Sequence, residues 1–245
     1  LNELEQERRT MHKELKELHD MMKTQEPLHD ALVQYVEDCD VLDKILRHPL
    51  VYAVPYFPQM NAMYNKQYEQ KTDHAAHALL NSKYSTFVFL HERAYRLDAL
   101  RMLYETTEIA ANSTEFWQLF RSIWIDTENW WHNADDVAEW IDDGGAELMM
   151  HDSEREHLAS MPDSFTVYRG WSRHGGRCGY SWTTDRDIAE FFATRFARCA
   201  DQRHAKIAAG VVKRHDVLAY LTSRDESEMF VDIGSVSNVE TYAVQ

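Results

Sequence analysis

The hydrophobic period changes once along this chain, close to Pro162, and that change constrains the fold more than any single motif. Before it, apolar residues recur three and four apart, the spacing of helices with one buried face; after it they alternate, as in strands. The 245 residues therefore read as α+β, with a mainly helical N-terminal region at 1–160 and a strand-rich core at 161–245. Composition turns at the same point. The formal net charge is -15, yet residues from 161 onward hold 11 Lys plus Arg against 11 Asp plus Glu, so the whole deficit lies in the first region. Net charge of that size repels nucleic acid and anionic membranes, but the balanced second region escapes the argument.

Within the first region, Leu1, Leu4, Met11, Leu15, Leu18 and Met22 form a seam broken at Arg8. It reads either as one amphipathic helix on the domain behind it or as a dimer or partner surface over residues 1–23. A second stripe, Leu28, Leu32, Tyr35, Cys39, Leu42 and Leu46, predicts a helix that stops where His48 precedes Pro49. Further helices are expected at about 59–81, 86–111, 115–125 and 128–142. Five of the seven Trp, at 117, 124, 130, 131 and 140, fall in the last two and read as core or domain interface. His74 and His77 share a helical turn without HExxH or a third ligand, so a surface pair is expected and no metal. Cys39, Cys178 and Cys199 form no CxxC pair, which points to a reducing cytoplasm, and no apolar run approaches the length of a membrane span.

Beyond Pro162, Phe165, Val167, Arg169 and Trp171 alternate with Thr166, Tyr168 and Gly170, which predicts a strand. A glycine-rich loop, Arg173 to Gly179, leads through Ser181, Trp182 and Thr183 to Thr184, Asp185 and Asp187, the cap and acidic first turn of a helix carrying Ile188, Phe191, Phe192, Arg195 and Phe196. Strands are expected at about 206–212, 217–221, 229–233 and 236–244. Glu226, Ser227 and Glu228 immediately precede the third of these.

Arg169 with Gly170, Ser181 with Thr183, and Glu226 with Glu228, in that order, resemble the arginine, serine and glutamate-x-glutamate signature of the mono-ADP-ribosyltransferases, a family that includes bacterial toxins and phage-encoded transferases. The resemblance covers about residues 163–244 and departs from the pattern at Trp182 and Thr183, where serine and threonine steps are common. It implies a mixed β-sandwich core that binds NAD as substrate, breaks its nicotinamide–ribose bond and transfers ADP-ribose. Glu228 takes the catalytic position. Its carboxylate is suited to an oxocarbenium-like state, because a hydrogen bond to the ribose 2′-hydroxyl strengthens as positive charge grows. Arg169 takes the NAD-binding position, with a donor fork suited to a pyrophosphate. Gly170 would let the backbone approach the nicotinamide amide, and Ser181 would hold strand and glutamate in register through its hydroxyl. Either Phe191 or Phe192 would wall the nicotinamide while the other faces the core. Glu226 would orient a nucleophile, which in the family accompanies a protein arginine acceptor. The competing readings are a nucleobase acceptor in RNA or DNA, met by a basic face of Arg173, Arg177, Arg195, Arg198 and Arg203, and a non-catalytic binding module of the same fold.

Overall fold

The computed structural model describes residues 26–127, 130–172, 176, 178–195, 205–223 and 226–244. The seam at residues 1–23, and Arg173, Arg177, Phe196, Arg198 and Arg203 of the second region, lie outside the described residues. The chain divides into two compact units, Leu1–Thr106 and Thr107–Gln245. The compositional break at Pro162 falls inside the second unit. The described residues are mixed α+β, with helices and two antiparallel sheets, one in each unit.

In the first unit the stripe from Leu28 to Leu46 is not one helix. A single helical turn, α1 (Asp30–Val33), is followed by a three-stranded antiparallel sheet of β1 (Val36–Cys39), β2 (Asp43–His48) and β3 (Val51–Ala53). Local chemistry explains the difference. The segment Asp40–Val41–Leu42 turns, and Asp43 adopts φ 64, a left-handed conformation that Asp tolerates better than most residues. Leu32 and Leu46 of the stripe meet in one core with Leu50, Val51 and Tyr64, with Leu28 and Tyr35 partly buried against it, whereas Leu42 is exposed. Helix α2 (Asn61–Leu80) follows as expected, and His74 and His77 are exposed on it. The stretch expected as one helix over 86–111 is two, α3 (Tyr84–Leu90) and α4 (Arg96–Thr106). Tertiary contacts break it: Glu92 donates its N–H to the Pro49 carbonyl at 2.7 Å and pairs with Lys71 at 2.6 Å.

The second unit opens with α5 (Thr114–Asp126), capped by Ser113, whose hydroxyl accepts from the Phe116 N–H at 3.2 Å. Such a cap contributes about 1 kcal/mol. Phe116, Trp117, Phe120 and Ile123 on this helix are fully buried. Helices α6 (Ala134–Asp142) and α7 (Asp152–Ser160) complete the helical part; α7 was not expected from the sequence.

A six-stranded antiparallel sheet then forms from β4 (Ser164–Trp171), β5 (Ser181–Thr183), β6 (Lys206–Lys213), β7 (Ala219–Leu221), β8 (Glu228–Phe230) and β9 (Val236–Ala243), in the order β7-β8-β5-β4-β6-β9. Its centre is weak. Strands β4 and β6 pair along eight residues, whereas β4 and β5 meet at one pair, Tyr168 with Thr183. The sheet thus consists of two three-stranded halves joined at one point, and that junction positions the site. Helix α8 (Arg186–Thr194), capped by the Asp185 carboxylate at 2.8 Å from the Asp187 N–H, connects β5 to β6.

Candidate active site

A cleft of about 630 Å³ lies at the junction of the two half-sheets, wholly within the second unit. Its floor and walls come from the end of β4 (Tyr168 to Ser172), from Ser181, Trp182 and Thr183 on β5, and from Glu226 and Glu228. Ile188, Ala189, Phe192 and Arg195 line it from the α8 side, and Trp124, Trp130 and Trp131 from the helical part. Arg169, Gly170, Ser181, Thr183, Phe192, Glu226 and Glu228 therefore share one cavity although they span about sixty positions of chain. Phe191 is not among its lining residues and is 59% exposed.

Arg169 crosses the divide between the half-sheets. Its Nε donates to the Gly176 carbonyl at 3.2 Å and its Nη1 to the Ser181 carbonyl at 2.6 Å. The other terminal nitrogen, Nη2, makes no hydrogen bond among the described residues. Burial pulls this guanidinium down to about 10, while the negative field of Glu228 acts in the opposite sense, so it stays charged at neutral pH. Glycine at 179 is required for this placement, because a Cβ there would lie 2.2 Å from Nη2.

Gly170 serves packing rather than an open approach to the cleft. A Cβ on it would lie 1.7 Å from the Ala189 carbonyl oxygen and 2.8 Å from the Ala193 nitrogen, so the missing side chain lets α8 settle directly on β4. The same contact decides the phenylalanines. Ala189 and Ala193 are the residues α8 buries, and neither Phe191 nor Phe192 faces the core. Phe192 lines the cleft, with the Arg195 guanidinium 4.7 Å above its ring.

Ser181 contributes through its backbone. Its carbonyl accepts from Arg169, and its hydroxyl makes no hydrogen bond among the described residues. The register role expected of that hydroxyl belongs to Thr183 instead. The Thr183 Oγ1 donates to the Glu226 carbonyl at 3.0 Å and accepts from the Asp185 N–H at 3.0 Å, tying the acidic turn to the start of α8. Between the two glutamates Ser227 adopts φ 46, so the turn is kinked rather than extended.

Glu228 is 9% exposed and sits between Thr183 and Leu221 in the sheet. Its Oε1 accepts from the Trp124 indole N–H at 2.9 Å. Trp124 is locked in turn: it stacks on Phe120 at 5.6 Å and meets Phe230 edge-on at 5.0 Å. Trp130 and Trp131 stack at 4.5 Å, and Trp131 remains 38% exposed. Helical spacing alone predicts core or interface for all five Trp of the helical region. Trp117 and Trp140 are core; Trp124, Trp130 and Trp131 also wall the cleft. The signal that separates them is position, since Trp130 and Trp131 are adjacent and cannot share one buried helical face.

A second buried arginine stands behind the site. Arg121 forms a two-pronged pair with Glu154, Nη1 to Oε2 at 2.6 Å and Nη2 to Oε1 at 2.8 Å. Glu154 also accepts from Thr222 N–H and Oγ1 and from the His151 N–H, and Arg121 donates to the Ser223 hydroxyl at 3.1 Å. Burial pushes the Glu154 carboxyl up, but Arg121 and these backbone and hydroxyl donors outweigh it and hold the group at about 2. The network fixes the chain at Thr222 and Ser223, just before the acidic turn.

Among the described residues no group of three His, Cys, Asp or Glu side chains is arranged to hold a metal ion, and no helix is long and apolar enough to cross a membrane. No protein-family profile, no curated protein and no solved structure matches the chain.

Proposed function

We propose that this protein is an NAD-dependent mono-ADP-ribosyltransferase and that the cleft between the half-sheets is its active site. The observation that carries the reading is the shared cavity: a charged arginine, a buried glutamate and a second acid, recruited from β4, β8 and the turn before β8, line one aromatic-walled space. The six-stranded sheet narrows to a single residue pair between β4 and β5 beside the cleft, which supports the reading by opening space for a ligand there.

The chemistry follows from these positions. Nicotinamide leaves the ribose carbon with the electron pair of the broken C–N bond and departs neutral, so positive charge develops on the sugar. Glu228, nearly excluded from water, supplies fixed negative charge to that state, and its second oxygen has no hydrogen bond among the described residues and is available to a ribose hydroxyl. Arg169 offers its charge and Nη2 to the pyrophosphate, with its other donors committed to carbonyls. Phe192 and Trp131 provide planar surfaces for the rings of the dinucleotide. The acceptor nitrogen then bonds to the ribose carbon and gives its proton to Glu226.

A protein arginine is the favoured acceptor. Glu226 lines the cleft two residues from Glu228, and a carboxylate there pairs with a guanidinium and takes its proton. A nucleobase acceptor remains the alternative, with Trp131 as its stacking surface. The test is incubation of the protein and a cell lysate with NAD labelled in the adenylate part. Label entering protein and released by reagents that cleave arginine adducts supports the reading, and nuclease-sensitive label selects the nucleobase. Glu226→Gln is expected to keep nicotinamide release and lose transfer; transfer at the wild-type rate would refute the role of Glu226.

A further inference from the structure

We propose that Trp124, in the helical part of the unit, is a positioning residue that orients the Glu228 carboxylate for NAD cleavage. The proposal rests on the transferase reading above and adds a residue that the arginine, serine and glutamate signature does not contain. The bond spans 104 positions of sequence, between groups that are 6% and 9% exposed. A buried carboxylate beside a cleft is costly unless a donor meets it, and packing alone would be served better by an apolar side chain. Indole N–H donates and cannot accept, so it fixes one oxygen of Glu228 and leaves the other to a ligand. Stacking on Phe120 and edge contact with Phe230 prevent the indole from turning away. Arg121, three residues back and on the same face of α5, holds the Ser223 hydroxyl, so the same helix bonds both Ser223 and Glu228. Thr183 ties down the backbone of the acidic turn at Glu226, and Trp124 orients the Glu228 carboxylate itself.

The experiment replaces one atom group. Position 124 is filled with β-(3-benzothienyl)alanine, which exchanges the indole N–H for sulfur and keeps the ring, and Trp124→Phe is measured beside it. Nicotinamide release is followed over a range of NAD concentrations, with thermal unfolding as the check on fold. Loss of a hydrogen bond to a charged group is expected to lower kcat about tenfold in both variants. KM for NAD is expected to stay within about twofold, as for an interaction that matters in the transition state. Full kcat in the sulfur analogue overturns the proposal, and so does a raised KM at unchanged kcat, which would leave Trp124 with a role in binding alone. Absence of nicotinamide release from the wild-type chain overturns the transferase reading itself and the positioning role with it, an outcome distinct from active wild type with indifferent variants.

Discussion

Two arginine–glutamate sites lie in the second unit, and they differ in what is left over. Around Glu154 every element of the surroundings donates: Arg121 with two nitrogens, Thr222 with backbone and hydroxyl, and His151 with its N–H. Both carboxylate oxygens are spent, the residue is 1% exposed, and nothing remains for a ligand. Around Glu228 a single indole among the described residues donates to one oxygen, Arg169 acts through its field and gives its hydrogen bonds to carbonyls, and a cavity adjoins. Burial of charge is therefore no mark of function by itself. A saturated pair is a fastening; a carboxylate with an unused oxygen beside a cavity is a candidate for chemistry.

The sharpest way to break this comparison is to cut the fastening. Arg121→Ala leaves Glu154 buried without its counter-charge, and stability in a urea titration is expected to fall by about 3 to 5 kcal/mol. A loss below about 1 kcal/mol would show that the pair is no more than a surface-type bridge. Next comes pH. The Glu154 carboxyl sits at about 2 in the folded chain against about 4.5 for an unperturbed glutamate, so between those pH values the unfolded chain binds more protons. Its contribution is fully present above about pH 4.5 and is lost as pH falls through the folded value. Acid unfolding of Glu154→Gln is expected to lack that slope; an unchanged slope would place the acid sensitivity elsewhere.

Smaller effects test the open site. Gly179→Ala pushes a Cβ into the Arg169 guanidinium, and NAD affinity is expected to fall about tenfold, the scale of one charge-assisted hydrogen bond, with thermal stability little changed. Equal affinity would remove Arg169 from the binding site. The smallest change is expected from Phe191→Ala. That side chain is exposed and lies off the cleft, so kcat and KM are expected to stay within about twofold, whereas Phe192→Ala raises KM.

Much of this site was legible because it is local. The alternation from Phe165 to Trp171, the Asp185 cap and the acidic turn before an apolar strand are patterns of a few neighbouring residues, and β4, α8 and β8 lie where they indicate. What escaped is non-local. The three-stranded sheet over Val36–Ala53 shares the buried Leu46 with a helical stripe, and strands of three to six residues are too short to contradict one. No pattern in the sequence links Trp124 to Glu228 or Arg121 to Glu154; only the packing of α5 and α7 on the second sheet does so. Gly170 and Ser181 were legible as positions and misread as roles. A glycine beside a cleft suggests a ligand, yet its empty side belongs to Ala189, and a hydroxyl expected to bridge leaves that work to Thr183.

The most direct test compares the two glutamates in one assay. Nicotinamide release from NAD is measured under single-turnover conditions for the wild-type chain, Glu228→Gln and Glu154→Gln, with the folded fraction of each determined by circular dichroism. Wild type is expected to release nicotinamide. Glu228→Gln is expected to remain folded and bind NAD while its rate falls about 100-fold or more, the scale of removing one preorganised electrostatic partner. Glu154→Gln is expected to lose rate only in proportion to lost fold. Equal rates for wild type and folded Glu228→Gln, or no release by wild type, would contradict the account.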